Sequence, residues 1–361
     1  MREKKKILFA VCGIGLGHVI RSLEIIDNLA EENEVFVTSA SRAHSFLKKQ
    51  TPDKVKPLAA IQTIELCFGE NTFDLIGTAY KNIPKLPAIL YSNWKIFDKL
   101  KKNVDLVISD HEVSSVMWAK ANRKKIINIS HTHGMYFTHF FEKFKKPLNL
   151  AYTVPLDLLS TADMTVNTHF FPLKRKSFLN VRFFGPIIAK DMIEVKATEG
   201  KKIVVYLPTN MLNGFIEVAN PIKEKFIVFC DSGQEKLKKT AGKNFSFKKV
   251  SRKNFVKELS RAKCFVSHGG VSGLTEALFL GKPCYVIADE SFYERCYNGK
   301  TMELLGYGKC SKKESGQEFT DFLHNIKQYK KELQKKPVGP ANKEIIAFIK
   351  KQIESGNTTR N

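Results

Sequence analysis

The chain has 361 residues, 43% of them hydrophobic, which is enough for two domains with separate cores. No apolar run approaches the roughly 20 residues that cross a bilayer, so a spanning helix is not expected. A net charge of +23, from 59 Lys and Arg against 36 Asp and Glu, favours anionic partners (nucleotide phosphates, nucleic acid or an acidic membrane face) unless it is only a general lysine bias.

The start, MREKKKILFAVCGIGLGH, has the basic head and apolar body of a signal peptide. Gly13, Gly15 and Gly17 interrupt that body and no small-residue cleavage site follows, so a first strand is expected instead. Lys6 to Cys12 reads as that buried strand, turned by the glycines and His18 into a helix from about Val19 to Glu31. A dinucleotide fold would want G-x-G-x-x-G, and an acidic residue closing the second strand. Here His18 stands at the third position and the strand Glu34 to Thr38 ends in Ser39-Ala40-Ser41, so no nicotinamide or flavin site is expected. On its own, His18 suits a helix-start cap.

Val104 to Ser109 is another apolar strand, ending in Asp110-His111-Glu112, where Asp110 suits an N-cap for a helix from Glu112 to Asn122. Ile126 to Ser130 carries His131-Thr132-His133-Gly134 to the same strand-end edge. H-x-H followed by His139 hints at a metal, but no Cys or carboxylate stands at ligand spacing, and a polar loop lining a cleft fits better. Aromatics interleave with lysines over Tyr80 to Lys102, Tyr136 to Leu148 and Phe170 to Phe184. Such segments suit core aromatics with lysines outside, with a membrane interface as the other reading. No RNP or zinc-finger signature supports nucleic acid.

Val181 to Pro186 reads as the last strand of the first domain and Asp191 to Lys202 as a polar linker. Ile203 to Leu207 opens the second domain and delivers Pro208-Thr209-Asn210; Phe226 to Cys230 and Phe247 to Arg252 follow as strands, then a helix from about Asn254 to Arg261. The seven cysteines form no C-x-x-C pair, and Cys230, Cys264 and Cys284 sit in apolar runs, as reduced core thiols of a cytoplasmic protein do.

The most informative stretch is CFVSHGGVSGLTEALFLGKPCYVIADESFYERCYNGKTMELLGYG, Cys264 to Gly308. A strand stops at Ser267-His268-Gly269-Gly270 and a helix begins at about Ser272, the arrangement that aims backbone N–H groups at an anion such as a diphosphate. Glu276 lies one helical turn further, within reach of a ribose hydroxyl. A second strand, Pro283 to Ala288, ends in Asp289, Glu290, Glu294, Arg295 and Asn298, polar groups suited to a hexose. Beyond Gly308 two lysine-rich helical segments are separated by Pro337, Gly339 and Pro340; the last runs from Asn342 to Ile353, and residues from about Ser355 are expected to fray.

This stretch resembles the donor-binding signature of GT-B-fold glycosyltransferases that use nucleotide sugars. It is most similar to the group containing the bacterial transferase that adds N-acetylglucosamine to a lipid-linked peptidoglycan precursor. The resemblance implies an α/β fold of two doubly wound Rossmann-like domains facing across a cleft. The boundaries would be 1–190 for an acceptor-side domain, 191–202 for a linker, 203–340 for a nucleotide-sugar domain and 341–361 for a terminal helix and tail crossing back to the first domain. It assigns the diphosphate to Gly269, Gly270 and Ser272, the ribose to Glu276 and the sugar to Glu294, Arg295 and Asn298. Arg295 stands where Gln is usual, which leaves the sugar open. Val250, Ser251 and Arg252 would receive the base, with Thr209 and Asn210 on the donor-side loop.

The G-x-G-x-G-H-x-x-R-S run resembles the first loop of the same superfamily, where glycines admit the acceptor. That places Gly13, Gly15, Gly17 and Arg21 on the acceptor side together with His131 and His133. It implies that His18 is the general base, for which an imidazole pKa near working pH is suited, and that Asp110 orients it. The implied activity is inverting hexosyl or N-acetylhexosaminyl transfer from a nucleotide sugar, UDP-linked by the family's habit, to an acceptor hydroxyl. The acceptor would be a glycan, a lipid-linked or a small molecule, with no metal or other cofactor. The protein would be cytoplasmic, with an anionic membrane surface as a further partner. A UDP-sugar 2-epimerase of the same fold and a non-catalytic nucleotide-sugar-binding protein are the alternatives.

Overall fold

The computed structural model describes residues 4–68, 73–100, 103–133, 135, 158–171, 177–289 and 291–355. The segment Tyr136 to Leu148 with His139, Gly134, the Lys174-Arg175-Lys176 run, Glu290 and the tail beyond Ser355 lie outside the described residues. The chain divides into two compact units: Met1–Cys67, Leu75–Ala189 and Pro340–Asn361 make the first, and Phe68–Asp74 with Lys190–Gly339 the second.

In the first unit, strands β1 (Lys6–Val11), β2 (Glu34–Thr38) and β3 (Lys56–Pro57) are followed by β6 (Leu106–Asp110), β7 (Lys125–Ser130), β8 (Met164–Thr168), β9 (Ser177–Phe178) and β10 (Val181–Phe184). The short β4 (Cys67–Phe68) and β5 (Phe73–Asp74) pair with each other. The order of the large sheet is β3-β2-β1-β6-β7-β8-β10-β9, parallel except for β9 against β10. Its central strands read as unbroken apolar runs because both faces are covered. Helices α1 (Gly17–Leu29), α2 (Ser41–Gln50) and α14 (Asn342–Glu354) close one face around Val19, Ile26, Leu47, Ile345 and Ile349. The other face buries Phe97 of α4 (Leu86–Asp98) and Trp118 of α5 (Val113–Ala121).

The second unit repeats the plan with β11 (Lys202–Tyr206), β12 (Lys225–Phe229), β13 (Phe245–Lys248), β14 (Ala262–Ser267), β15 (Cys284–Ile287) and β16 (Gly308–Ser311), all parallel in the order β13-β12-β11-β14-β15-β16. Its helices include α6 (Lys190–Glu194), α7 (Thr209–Ala219), α9 (Arg252–Ser260), α10 (Val271–Phe279) and α11 (Tyr293–Leu304), with α8 (Gln234–Thr240) between α7 and α9.

The strand order dictates where ligands go. In an open parallel sheet the crevice forms at the carboxyl ends of the two strands where the winding reverses. Those are β1 and β6 in one unit, paired out to Val11↔Asp110, and β11 and β14 in the other, paired out to Tyr206↔Ser267. The loops emerging there are Gly13–Gly17 and Asp110–Glu112 in the first case, and Pro208–Asn210 and His268–Gly270 in the second.

The structure corrects several element limits. Polar residues 191–202 include all of α6 but its first residue, and the first residue of β11. The third strand of the second unit runs from Phe245 to Lys248, ending short of Arg252 because Ser251 caps α9 by accepting from Asn254 N–H. Strand β8 has no counterpart in the sequence reading, and its pattern, MTVNT, is half polar.

Candidate functional site

The crevice of the first unit is built around Asp110, whose side chain is fully buried. His18, Arg21 and Ser22 lie at i, i+3 and i+4 on α1, so one helix face presents all of them to the strand end. Asp110 Oδ1 lies 2.8 Å from His18 Nδ1, and Oδ2 accepts from Arg21 Nε at 2.8 Å and from Ser22 Oγ at 2.7 Å. Arg21 Nη2 also donates to Oδ1, completing a two-pronged fork. An ionised carboxylate only accepts, so the Nδ1–H of His18 points to it and the basic lone pair is on Nε2. The guanidinium Nη2, 3.0 Å from the same Nδ1, directs one of its two hydrogens to Oδ1.

Electrostatics follow from this packing. Burial alone would push Asp110 up, but Arg21 and His18 outweigh it and hold the carboxyl well below the usual carboxylate range. Burial pushes His18 below 6.5, against a partial rescue by Asp110. The result at neutral pH is a neutral imidazole backed by a permanent anion, with 17% of its side chain exposed. His131 approaches from β7, accepting from Arg21 Nη1 at 3.3 Å, and its ring centroid is 6.0 Å from that of His18. His111 lies parallel to His18 at 6.1 Å, on a backbone with φ of 54°. His133 turns aside: its Nδ1 meets Ser130 Oγ at 2.9 Å. Gly13 backs against the next loop so closely that a Cβ there would stand 2.4 Å from Ala40 Cβ.

Neither capping alternative describes these residues. Helix α1 starts at Gly17 with Leu16 as N-cap, and α5 is capped by Glu112, which accepts from Ser114 N–H and Ser115 N–H.

In the second unit, α7 and α10 start directly after the neighbouring strands β11 and β14, and neither N-terminus has a side-chain cap. Two positive helix ends thus open at one crevice. The turn between β14 and α10 requires glycine: Gly269 has φ of 83°, and a Cβ there would lie 2.5 Å from Arg295 O. Asn298 fastens this turn from below, donating from Nδ2 to Gly269 O at 3.0 Å.

A cavity of about 180 Å³ lies beside the turn, lined among others by Asn210, His268, Asp289, Phe292, Arg295 and Lys313. Burial and then Arg295 push His268 down to about 3, so its imidazole is neutral. Arg295 lies over Phe292, its guanidinium carbon 4.2 Å from the ring centre. Glu276, 5% exposed, takes Arg252 Nη1 on both oxygens at 2.8 and 2.9 Å.

The structure therefore gathers His18, Arg21, Asp110 and His131 at one crevice and Asn210 and Arg295 at the other. Asn298 lies behind the turn at 1% exposure, and Glu294 and Thr209 stand outside the cavity lining. Sequence reasoning passed over Ser22, although the i+4 spacing from His18 marks it, and over His268, Lys312 and Lys313. Among the described residues no group of three or more His, Cys, Asp or Glu is arranged to hold a metal ion, and no helix is long and apolar enough to cross a membrane.

Residues 5–327 match the family model of glycosyl transferase family 1. None of the curated protein sequences gives a match. Among solved structures, the chain is similar to a UDP-glucosyltransferase from Polygonum tinctorium that glucosylates indoxyl, with a TM-score of 0.68, 12% identity, and coverage of 97% of this chain and 98% of that one. Phytolacca americana UGT2, complexed with UDP-2-fluoro-glucose and pterostilbene, gives a TM-score of 0.68 at 14% identity over 98% and 100%. Acinetobacter baumannii MurG gives 0.60 at 16% identity over 97% and 100%. At these identities the likeness is one of fold.

Proposed function

The chain belongs to glycosyl transferase family 1, as a GT-B-fold glycosyltransferase that moves a sugar from a nucleotide-sugar donor, and from that premise we propose an inverting transfer with His18 as the base. The observation that carries the proposal is the Asp110–His18 pair at the strand switch point, with Nδ1 tied to the carboxylate and Nε2 left basic. Nε2 takes the proton of an acceptor hydroxyl as that oxygen attacks the anomeric carbon from the side opposite the leaving diphosphate. Asp110 then faces an imidazolium and stabilises it. In this reading the donor is a UDP-linked hexose or N-acetylhexosamine. Its diphosphate meets the N–H groups at Gly270 and Ser272 and the positive end of α10, which need no reorganisation as charge develops. The sugar faces Arg295 and Asn210, and the ribose faces Glu276.

His18→Ala should leave UDP affinity within about twofold and lower kcat by roughly 10²–10⁴-fold, the usual contribution of a general base. NMR of the product should show the anomeric configuration inverted relative to the donor. Retention, epimerised UDP-sugar without transfer, or full turnover by the variant would each sink the mechanism.

The acceptor in this reading is a glycan, a lipid-borne or a small-molecule hydroxyl, met in the cytoplasm, where cysteines outside any disulfide persist. An anionic phospholipid surface fits the helical stretch 75–98, which exposes Ile76, Tyr80, Ile83 and Tyr91 beside Lys81, Lys85 and Lys95. Sedimentation should show binding to vesicles containing phosphatidylglycerol and little to phosphatidylcholine alone; equal binding to both would remove the membrane from the reading.

A further inference from the structure

We propose that Arg252 is a positioning residue for the donor, holding the Glu276 carboxylate ionised and aimed while Asp191 holds the guanidinium. The inference rests on Glu276 as the ribose-binding group. The three residues form one chain of charges. Arg252 is the first residue of α9, on a helix start fixed by the Ser251 cap. Its Nη1 bridges both oxygens of Glu276, at 2.8 and 2.9 Å. Its Nε and Nη2 donate to Asp191 Oδ2 and Oδ1 at 2.8 and 2.6 Å, the parallel fork that suits a carboxylate. Side-chain exposure rises along the chain, 7% at Glu276, 16% at Arg252 and 46% at Asp191, so the inner carboxylate has little water of its own.

The geometry explains why an arginine is needed. A ribose presents two hydroxyl donors, and each carboxylate oxygen has two acceptor sites. One nitrogen shared between the two oxygens uses a single site on each, leaving the others for the hydroxyls. A protonated carboxyl would lose both the charge assistance and part of that acceptor capacity.

Protonation is a real threat at this position, because burial raises the Glu276 pKa and Arg252 only partly offsets it. The charged groups facing Glu276 are Arg252 from α9 and Asp191 from α6, and Asp191 itself pushes the same way as burial. Arg252 is thus the one cation acting on Glu276 among the described residues.

The test is calorimetric titration with UDP from about pH 8 to about pH 5.5, reading the ratio of wild-type to variant affinity so that the titration of UDP cancels. Arg252→Gln should bind within about threefold of wild type near pH 8 and tenfold or more weaker near pH 5.5, because loss of the cation that lowers the Glu276 pKa lets the buried carboxyl take a proton more readily as pH falls. Arg252→Lys, which keeps the charge, should restore most of the loss. Asp191→Asn, which frees the guanidinium but also removes an anion that raises the Glu276 pKa, should weaken UDP about equally near pH 8 and near pH 5.5, and Arg252→Ala serves if Arg252→Gln does not fold. Glu276→Gln should be weaker at every pH, and adding Arg252→Gln to it should change nothing further. A ratio for Arg252→Gln that stays constant with pH, with Glu276→Gln impaired, overturns the positioning role alone. Wild-type affinity in Glu276→Gln overturns the ribose reading itself.

Discussion

At the residue scale, two neutral imidazoles set the pH behaviour. In the proposed mechanism His18 must be unprotonated to act, and burial keeps its pKa below the ordinary 6.5. The acid limb of kcat/KM should therefore have its midpoint below 6.5. Asp110 raises the His18 pKa, so Asp110→Asn should move that midpoint lower still and reduce kcat by roughly 10²–10⁴-fold; pH–rate profiles of both proteins decide it, and an unmoved midpoint would detach Asp110 from the base. His268 governs stability instead. Its pKa is about 3 when folded against 6.5 ordinarily, so its neutral burial contributes fully above about pH 6.5 and is lost as pH falls toward 3. His268→Gln should accordingly flatten the acid side of a urea-stability profile between about pH 7 and 4.5, by one to several kcal/mol. Some of this chemistry was legible: H-x-x-R-S places three groups on one helix face, and Asp110 ends an apolar strand. The Asp191–Arg252–Glu276 chain was not, because its members are separated by 61 and 24 residues and no local spacing joins them.

At the scale of elements, the decisive unit is the turn between β14 and α10. Asn298 was expected to hold the sugar, yet it is 1% exposed and donates to the Gly269 carbonyl. Asn298→Ala should therefore weaken UDP, which carries no sugar, by about as much as a UDP-sugar, on the order of 5- to 100-fold from the loss of one buried hydrogen bond. A loss confined to the UDP-sugar would restore the direct contact. Gly269→Ala should be worse, since a side chain there meets both a left-handed backbone and the Arg295 carbonyl. The glycine turn and the strands around it were readable because their apolar runs are continuous and end abruptly. Strand β8 was not readable, because Thr165 and Asn167 are buried at 1% and 0% exposure, and alternation then no longer reports which side faces water.

At the scale of the whole molecule, α14 has the largest consequence. Ile345, Ile349 and Ile353 are all buried in the core that also contains Ile7, Ile26 and Val35, although more than 300 residues separate them in sequence. Ile349→Ala should cost about 2–5 kcal/mol in unfolding experiments. UDP affinity should stay unchanged, because every group assigned to the donor lies between Lys190 and Gly339. The sequence showed an apolar stripe on this helix but not the surface it covers, since helical periodicity marks a buried face without naming its neighbour. The same helix sets a schedule for synthesis. The segment from Lys190 to Gly339 leaves the ribosome with its six parallel strands in hand. The unit that begins first must wait for the final turn of α14 before its apolar face is covered. Nascent chains stalled just before Pro340 should therefore resist protease between Lys190 and Gly339 while remaining cleavable in the half synthesised earlier.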